Sequence, residues 1–151
     1  MERVEPYSIS GTTGPDLYAS IGSVLAWDQE TQLPAAASKL RAEQLAALSG
    51  IVHERHTHPR VQEWLATAEA DADLGADPRV AANLREIRRD LDRALKLPGS
   101  LVRELAQTAA LSQRAWRDAR ETSDFSAFSP WLGRTLELAR AKAACYRPDP
   151  G

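Results

Sequence analysis

The chain has 151 residues, 43% of them hydrophobic and 26% charged, and a formal net charge of −2 at pH 7. This composition excludes a disordered, collagen-like or low-complexity protein, and its slightly acidic balance disfavours a dedicated nucleic-acid binder. The length predicts a single domain over residues 1–151, and no apolar run is long enough to span a membrane.

Alanine and leucine dominate the sequence, whereas the β-branched residues that favour strands are sparse. We therefore predict an all-α fold of about six helices with short connections, packed as an antiparallel, bundle-like array. Residues 1–13 and 146–151 are predicted to be irregular.

The first two helices are predicted over residues 14–31 and from Ala35 to about Arg55. Pro15 suits the first turn of the first helix, and Pro34 separates the two. Apolar residues at helical spacing predict the buried stripes, which are Leu17, Ile21, Val24 and Leu25 in the first helix, and Leu40, Leu45, Leu48 and Val52 in the second.

The third helix is predicted to follow His58-Pro59 and to end near Leu74, with Gly75 as its C-cap. Asp77-Pro78 is a strong start signal for the fourth helix, with the aspartate as N-cap. The predicted buried stripes are Val61, Trp64, Leu65 and Ala68 in the third helix, and Val80, Leu84, Ile87, Leu91 and Leu95 in the fourth.

The fifth helix is predicted from Pro98 to about Thr122, and Ser129-Pro130 is predicted to open the sixth after a turn at residues 123–125. The inward positions expected for the sixth helix are Trp131, Leu132, Thr135, Leu136 and Ala139. Three tryptophans lie on apolar stripes and are predicted to be core residues: Trp64, Trp116 and Trp131.

Three histidines that could bind a metal ion lie close together in the sequence: His53, His56 and His58. His53 and His56 are three apart, so one helical face could present both. This is not the HExxH spacing, in which two histidines four apart bind zinc, and a third ligand would also be needed. We interpret the cluster as a solvated helix end, where histidine faces the negative end of the helix dipole. Cys145 has no histidine beside it and is interpreted as a small hydrophobe, so no catalytic residue and no metal ligand is assigned.

The fourth helix is rich in arginine, which raises the alternative of phosphate binding. Acidic residues are interleaved, and three pairs lie at pairing distance on a helix: Glu86–Arg89, Arg88–Asp92 and Asp90–Arg93. An exposed face carrying many salt bridges is therefore the favoured interpretation.

Trp27 lies off the apolar stripe of the first helix, in a run that also contains Asp28, Glu30 and Thr31. An indole beside two acids at a helix end suits the wall of a groove. It equally suits a helix–helix corner in which the indole N–H is bonded to a neighbour. These four residues are the candidate site, and both interpretations stay open.

Four separate motifs occur in the order found in one enzyme family. They are LAWDQETQLP at residues 25–34, RAEQLAAL at 41–48, AANLREIRRDLDRA at 81–94 and DFSAFSPWL at 124–132. From about residue 20 to residue 145 the chain resembles the N-terminal region of the carboxypeptidase Taq family of HExxH metallocarboxypeptidases. Leu33 stands where the family pattern has methionine.

The resemblance implies that this region forms a lid or wall over a substrate groove in the full-length family, whose members use zinc or cobalt. The family's HExxH helix, its downstream glutamate ligand and its carboxylate-binding groups have no counterpart in this sequence. The resemblance therefore assigns no catalytic or metal-binding residue, and no cofactor is expected for this chain.

These observations predict a non-catalytic, stand-alone lid-like module that acts through protein–protein association. Its partner would be a second copy in a homodimer, or a full-length carboxypeptidase that it regulates. The alternative is a fragment or subunit of an active zinc metallocarboxypeptidase that releases C-terminal amino acids. No nucleic-acid or membrane partner is expected. The single cysteine and the lack of a visible secretory signal predict a cytoplasmic location.

Overall fold

A computed structural model describes residues 14–147, in which helices are joined by short turns and no strand occurs. The seven α-helices are α1 (Gly14–Thr31), α2 (Ser38–His56), α3 (Pro59–Ala70), α4 (Ala72–Ala76), α5 (Pro78–Leu95), α6 (Gly99–Glu121) and α7 (Phe125–Ala144), and a 3-10 turn at Ala35–Ala37 precedes α2. The all-α prediction is confirmed, with seven helices rather than six. Irregular ends were predicted at 1–13 and 146–151. Residues 146–147 form a turn and a bend after α7, and the rest of both predicted ends lies outside the described residues. Within those residues, no helix is long and apolar enough to cross a membrane.

Helices α2 and α6 form the centre of the array, with α1 packed on α2 and α7 packed on α6. Gly99, at the start of α6, lies beside His53 near the end of α2, so these two helices run antiparallel. Asp28 near the end of α1 pairs with Arg41 near the start of α2, which makes that pair antiparallel as well. Helices α3, α4 and α5 form a second group that contacts α2 through α5.

The predicted start of α5 is confirmed, because the Asp77 carboxylate accepts a hydrogen bond from the backbone N–H of Arg79 at 2.8 Å. The predicted end of the third helix is wrong. Asp71 adopts an extended backbone after Ala70 and caps a new short helix, α4. Gly75 lies inside α4 without a left-handed φ, so it is not a C-cap.

The predicted start of the last helix at Ser129 is also wrong. Ser123 has a positive φ of 54° and turns the chain, after which the Asp124 carboxylate caps the backbone N–H groups of Ser126 and Ala127. A hydrogen bond from the Ser126 side chain is the main cause that lowers the pKa of Asp124. This cap starts α7 at Phe125, so Pro130 lies inside the helix and omits one backbone hydrogen bond.

The core contains mostly small side chains, and no large side chain among the described residues is fully buried. The buried hydrophobic residues are Ala42, Ala46, Leu65, Leu91, Ala110, Ala119 and Leu138. Alanine lets helix backbones approach closely. Gly50 of α2 makes room for the side chain of Arg103 of α6, which would lie 2.9 Å from a Cβ atom at this position.

The tryptophans predicted as core lie nearer the surface. Trp64 and Trp116 are 41% and 49% exposed, and Trp131 is half-buried. The guanidinium of Arg60 lies 5.1 Å from the ring centroid of Trp64, and Arg120 covers Trp116 in the same way. These cation–π contacts explain how two indoles on apolar stripes are held at the surface.

Candidate functional site

The last turn of α1 is tied to the two central helices by polar contacts. Asp28 pairs with Arg41 of α2 at 2.6 Å, and Glu30 pairs with Arg117 of α6 at 2.8 Å. Between them, the Gln29 amide donates to the Gln113 side-chain oxygen at 2.8 Å. These contacts fix the end of α1 at the corner between α2 and α6.

Trp27 and Thr31, the other two candidate residues, do not reach α2 or α6 through a hydrogen bond given by the structure. The Thr31 hydroxyl donates to the backbone carbonyl of Trp27 at 2.9 Å, within α1. The Trp27 side chain is 62% exposed. The structure thus places Asp28 and Glu30 in contacts between helices, and Trp27 on the surface.

Arg41 completes this corner and was not singled out from the sequence. It is buried, and its guanidinium donates to the Leu25 carbonyl, to Asp28 and to the Gln44 side chain. Each of the three guanidinium nitrogens therefore donates a hydrogen bond. Its charge partner lies 13 residues upstream in another helix, so no spacing rule within one helix could have identified the pair.

An open apolar groove of about 550 Å³ is lined mainly by α1 and α2, with the end of α5 and the start of α6 contributing Ala94 and Val102. The α1 side is built of small residues, including Ala19, Gly22 and Ala26, and Leu48 and Val52 of α2 line the opposite side. The candidate residues Trp27, Asp28, Glu30 and Thr31 are not among those that line this groove.

The opposite face of α1 is also apolar, and it points into solvent. Leu17, Ile21 and Val24 are 55%, 42% and 63% exposed, and we call these three residues the outer face of α1. They were predicted to be buried, which is wrong: the described structure leaves them exposed, and the half-buried positions of this helix include Gly22 and Leu25. Residues 17–27 contain no charged side chain. An uncharged helix face of this kind is typical of a surface that another protein covers.

The three histidines do not converge on one point. His53 and His56 line the groove, whereas the Nδ1 atom of His58 accepts a hydrogen bond from the Arg60 backbone at the start of α3. Over residues 14–147, no group of three or more His, Cys, Asp or Glu side chains could hold a metal ion. A catalytic zinc site normally has three protein ligands, so the described side chains do not fit one.

The arginine-rich helix α5 carries the exposed salt bridges that the sequence predicts, although with partly different partners. The Glu86–Arg89 pair forms at 2.7 Å. Arg88 pairs with Glu69 of α3 at 2.6 Å rather than with Asp92, and this hydrogen bond lowers the pKa of Glu69. Arg93 lies over the ring of Tyr146 rather than pairing with Asp90. Its arginines therefore connect α5 to α3 and to the residues that follow α7.

Comparisons with known proteins agree with this architecture. A model of the carboxypeptidase Taq (M32) metallopeptidase family matches residues 13–150. The chain is 40% identical over 138 residues to thermostable carboxypeptidase 1 of Thermus thermophilus, covering 88% of this chain and 27% of that protein. It is 32% identical over 125 residues to thermostable carboxypeptidase 1 of Pyrococcus furiosus, covering 80% of this chain and 24% of that protein.

Solved structures give the same result. A structure of Pyrococcus furiosus carboxypeptidase matches with a TM-score of 0.65 at 28% identity, over 89% of this chain and 27% of that chain. The BsuCP crystal structure matches in fold with a TM-score of 0.80 at 23% identity, over 87% of this chain and 26% of that chain. The chain thus spans about a quarter of the length of the relatives it matches.

Proposed function

Since this chain belongs to the carboxypeptidase Taq metallopeptidase family, we propose that it is a non-catalytic, lid-like helical module that acts through protein–protein association. Its partner is a second copy of the chain or a full-length metallocarboxypeptidase. We place this module in the cytoplasm, which its single cysteine supports.

The outer face of α1 is the observation that carries this proposal. Leu17, Ile21 and Val24 have the helical spacing of a buried stripe, and yet the described part of the chain leaves them in water. Exposed apolar surface costs roughly 25 cal/mol for each Å² that could be buried, so these side chains favour contact with another protein surface.

The chemistry of the described residues supports a non-catalytic role. Two histidines share the groove, whereas hydrolysis by a zinc carboxypeptidase needs three protein ligands and a general base near one point. The ion pairs at the end of α1, Asp28–Arg41 and Glu30–Arg117, are contacts between helices. They hold the module together.

A second candidate function is a part of an active zinc metallocarboxypeptidase that releases C-terminal amino acids. The identity of 40% to the Thermus thermophilus carboxypeptidase, over 27% of its length, favours this candidate. In that case the three quarters without a match would supply the catalytic groups, and this segment would contribute a helical wall.

An assay of C-terminal residue release separates the two candidates. We expect the purified 151-residue chain, with added zinc or cobalt, to release no amino acid from a peptide above a blank purified in parallel, because its described side chains provide no three-ligand site. A full-length carboxypeptidase serves as the positive control. Release by this chain alone would overturn the non-catalytic proposal, and its persistence after replacement of His53, His56 and His58 by alanine would show that other residues bind the metal.

A further inference from the structure

We propose that the groove lined by α1 and α2 binds the anion of a medium-chain fatty acid, with the alkyl chain along the groove and the carboxylate at the end that carries His53 and His56. This inference goes beyond the proposed role in protein association and does not depend on it. It rests on the size of the groove, on the chemistry of its walls and on the polar groups at one end.

The dimensions of the groove suit a narrow apolar chain. Its volume of about 550 Å³ lies within the range of small-molecule sites. The residues of α1 that line it run from Tyr18 to Ala26, which is about 12 Å along the helix. A second helix of that length and about 10 Å wide would occupy roughly 900 Å³. The groove is therefore too small to enclose a helix.

The walls of the groove offer few partners to a polar ligand. Most of the lining side chains are alanine, glycine, valine or leucine, and the polar residues in the middle of the groove are Ser23 and Ser49. The Ser23 hydroxyl already donates to the Ala19 carbonyl at 3.1 Å. An extended peptide would bring backbone N–H and C=O groups that each need a partner when buried. An alkyl chain needs none, so these walls favour it over a peptide strand.

One end of the groove is suited to a carboxylate. His53 and His56 lie there in the last turns of α2, and Tyr18 of α1 lies at the same end because the two helices run antiparallel. A Cβ atom at Gly99 would lie 3.5 Å from the His53 ring and 3.6 Å from the Arg103 guanidinium, so Arg103 reaches this end as well. Imidazole and guanidinium N–H groups are good hydrogen-bond donors to a carboxylate.

These donors are not used within the described part of the chain. The side chains of His53, His56 and Arg103 make no hydrogen bond or ion pair with any other residue of 14–147. No aspartate or glutamate is among the described residues that line the groove, and Glu54, which lies between the two histidines in the sequence, is not one of them. A carboxylate at this end therefore meets donors and no like charge.

A calorimetric titration of the full chain with decanoate tests this proposal. We expect one site per chain with a Kd on the order of 0.1 mM. Octanoate should bind more weakly, by up to about fourfold for each methylene that is removed. Decyltrimethylammonium, which joins the same alkyl chain to a positive charge, should bind at least about tenfold more weakly than decanoate.

Gly22→Leu tests whether the ligand lies in the groove. Gly22 lines the groove, and a Cβ atom there would meet nothing within 4 Å, so the leucine side chain enters the groove without a clash. Binding of decanoate should weaken at least about tenfold. Gly133→Leu in α7 is the matched control, because a Cβ atom there also meets nothing within 4 Å and Gly133 does not line the groove. This control should bind like the wild type.

Arg103→Gln tests the position of the carboxylate. We expect it to weaken decanoate binding by about threefold to tenfold, because a charged donor is lost. Arg140→Gln, at an exposed position of α7, removes the same charge away from the groove and should leave binding unchanged. Binding that is as tight for Arg103→Gln as for Arg140→Gln would overturn the placement of the carboxylate beside Arg103.

Circular dichroism checks that each variant is folded, and Ala26→Leu replaces Gly22→Leu if the latter loses helicity. A folded wild-type chain that binds no decanoate overturns the proposal, as does equal binding of decyltrimethylammonium or decanoate binding that survives Gly22→Leu. Amide signals of Gly22 and His53 that shift with protein concentration in the absence of decanoate would assign the groove to a second copy and overturn it too. Each of these outcomes leaves the proposed association standing, since that proposal concerns the opposite face of α1.

Discussion

Replacing Leu138 by alanine is expected to lower the free energy of unfolding by about 3 kcal/mol, within the range for buried leucines. Leu138 is 4% exposed and is the one buried residue described in α7. This helix packs chiefly on α6, so the cavity removes much of what holds it there. Urea unfolding followed by circular dichroism measures the change as a lower midpoint with an unchanged slope.

Leu136 provides the control, since it lies one half-turn away in the same helix and is 48% exposed. Leu136→Ala makes the same change in helix propensity but is expected to cost about 1 kcal/mol or less. Equal losses for the two variants would contradict the packing of α7 on α6 through Leu138.

Replacing Arg41 by alanine is expected to cost about 2–3 kcal/mol, because it leaves the Leu25 carbonyl and the Asp28 carboxylate without their donor. The Arg41 side chain is 10% exposed and that of Asp28 is 32% exposed. Water can therefore reach the carboxylate, which keeps the loss below that of a fully buried pair. The same urea experiment measures it.

Arg89 is the matched control for Arg41. It also forms an ion pair, with Glu86 of the same helix at 2.7 Å, but both side chains are exposed. Arg89→Ala is expected to change stability by less than about 0.5 kcal/mol. A double-mutant cycle of Arg41→Ala with Asp28→Asn should give a coupling energy of about 1 kcal/mol or more. A loss of stability for Arg41→Ala as small as that for Arg89→Ala would contradict the role of Arg41 in holding the end of α1 on α2.

Helix starts could be predicted from the sequence where the signal is local. At Asp77-Pro78 the aspartate caps the next turn and the proline fits the first helical position, and α5 begins there. The prediction failed at the last helix, where a turn was predicted at residues 123–125 and a helix start at Ser129-Pro130. The Asp124 carboxylate instead accepts two backbone hydrogen bonds and starts the helix at Phe125, so the helix continues through Pro130.

Which face of a helix is buried was harder to predict, because that depends on its neighbours. The stripe of Leu17, Ile21 and Val24 has the periodicity of a buried face, but periodicity does not say whether the same chain or another one covers it. The described helices leave this stripe in water. The family resemblance predicted from the motifs was confirmed, because motif order is a property of the sequence itself.

The candidate site could be predicted only in part. The run around Trp27 identified the end of α1, where Asp28 and Glu30 contact α2 and α6. The sequence did not reveal Arg41 or the groove beside Gly22, because both depend on how α1 and α2 meet.

Hydrogen–deuterium exchange of the full chain tests most directly whether another protein covers the outer face of α1. We expect peptides from residues 14–31 to exchange more slowly as the protein concentration rises, while peptides from α7 stay unchanged, because association suppresses local opening of the covered helix. Exchange in α1 that is independent both of concentration and of added full-length carboxypeptidase would contradict this account.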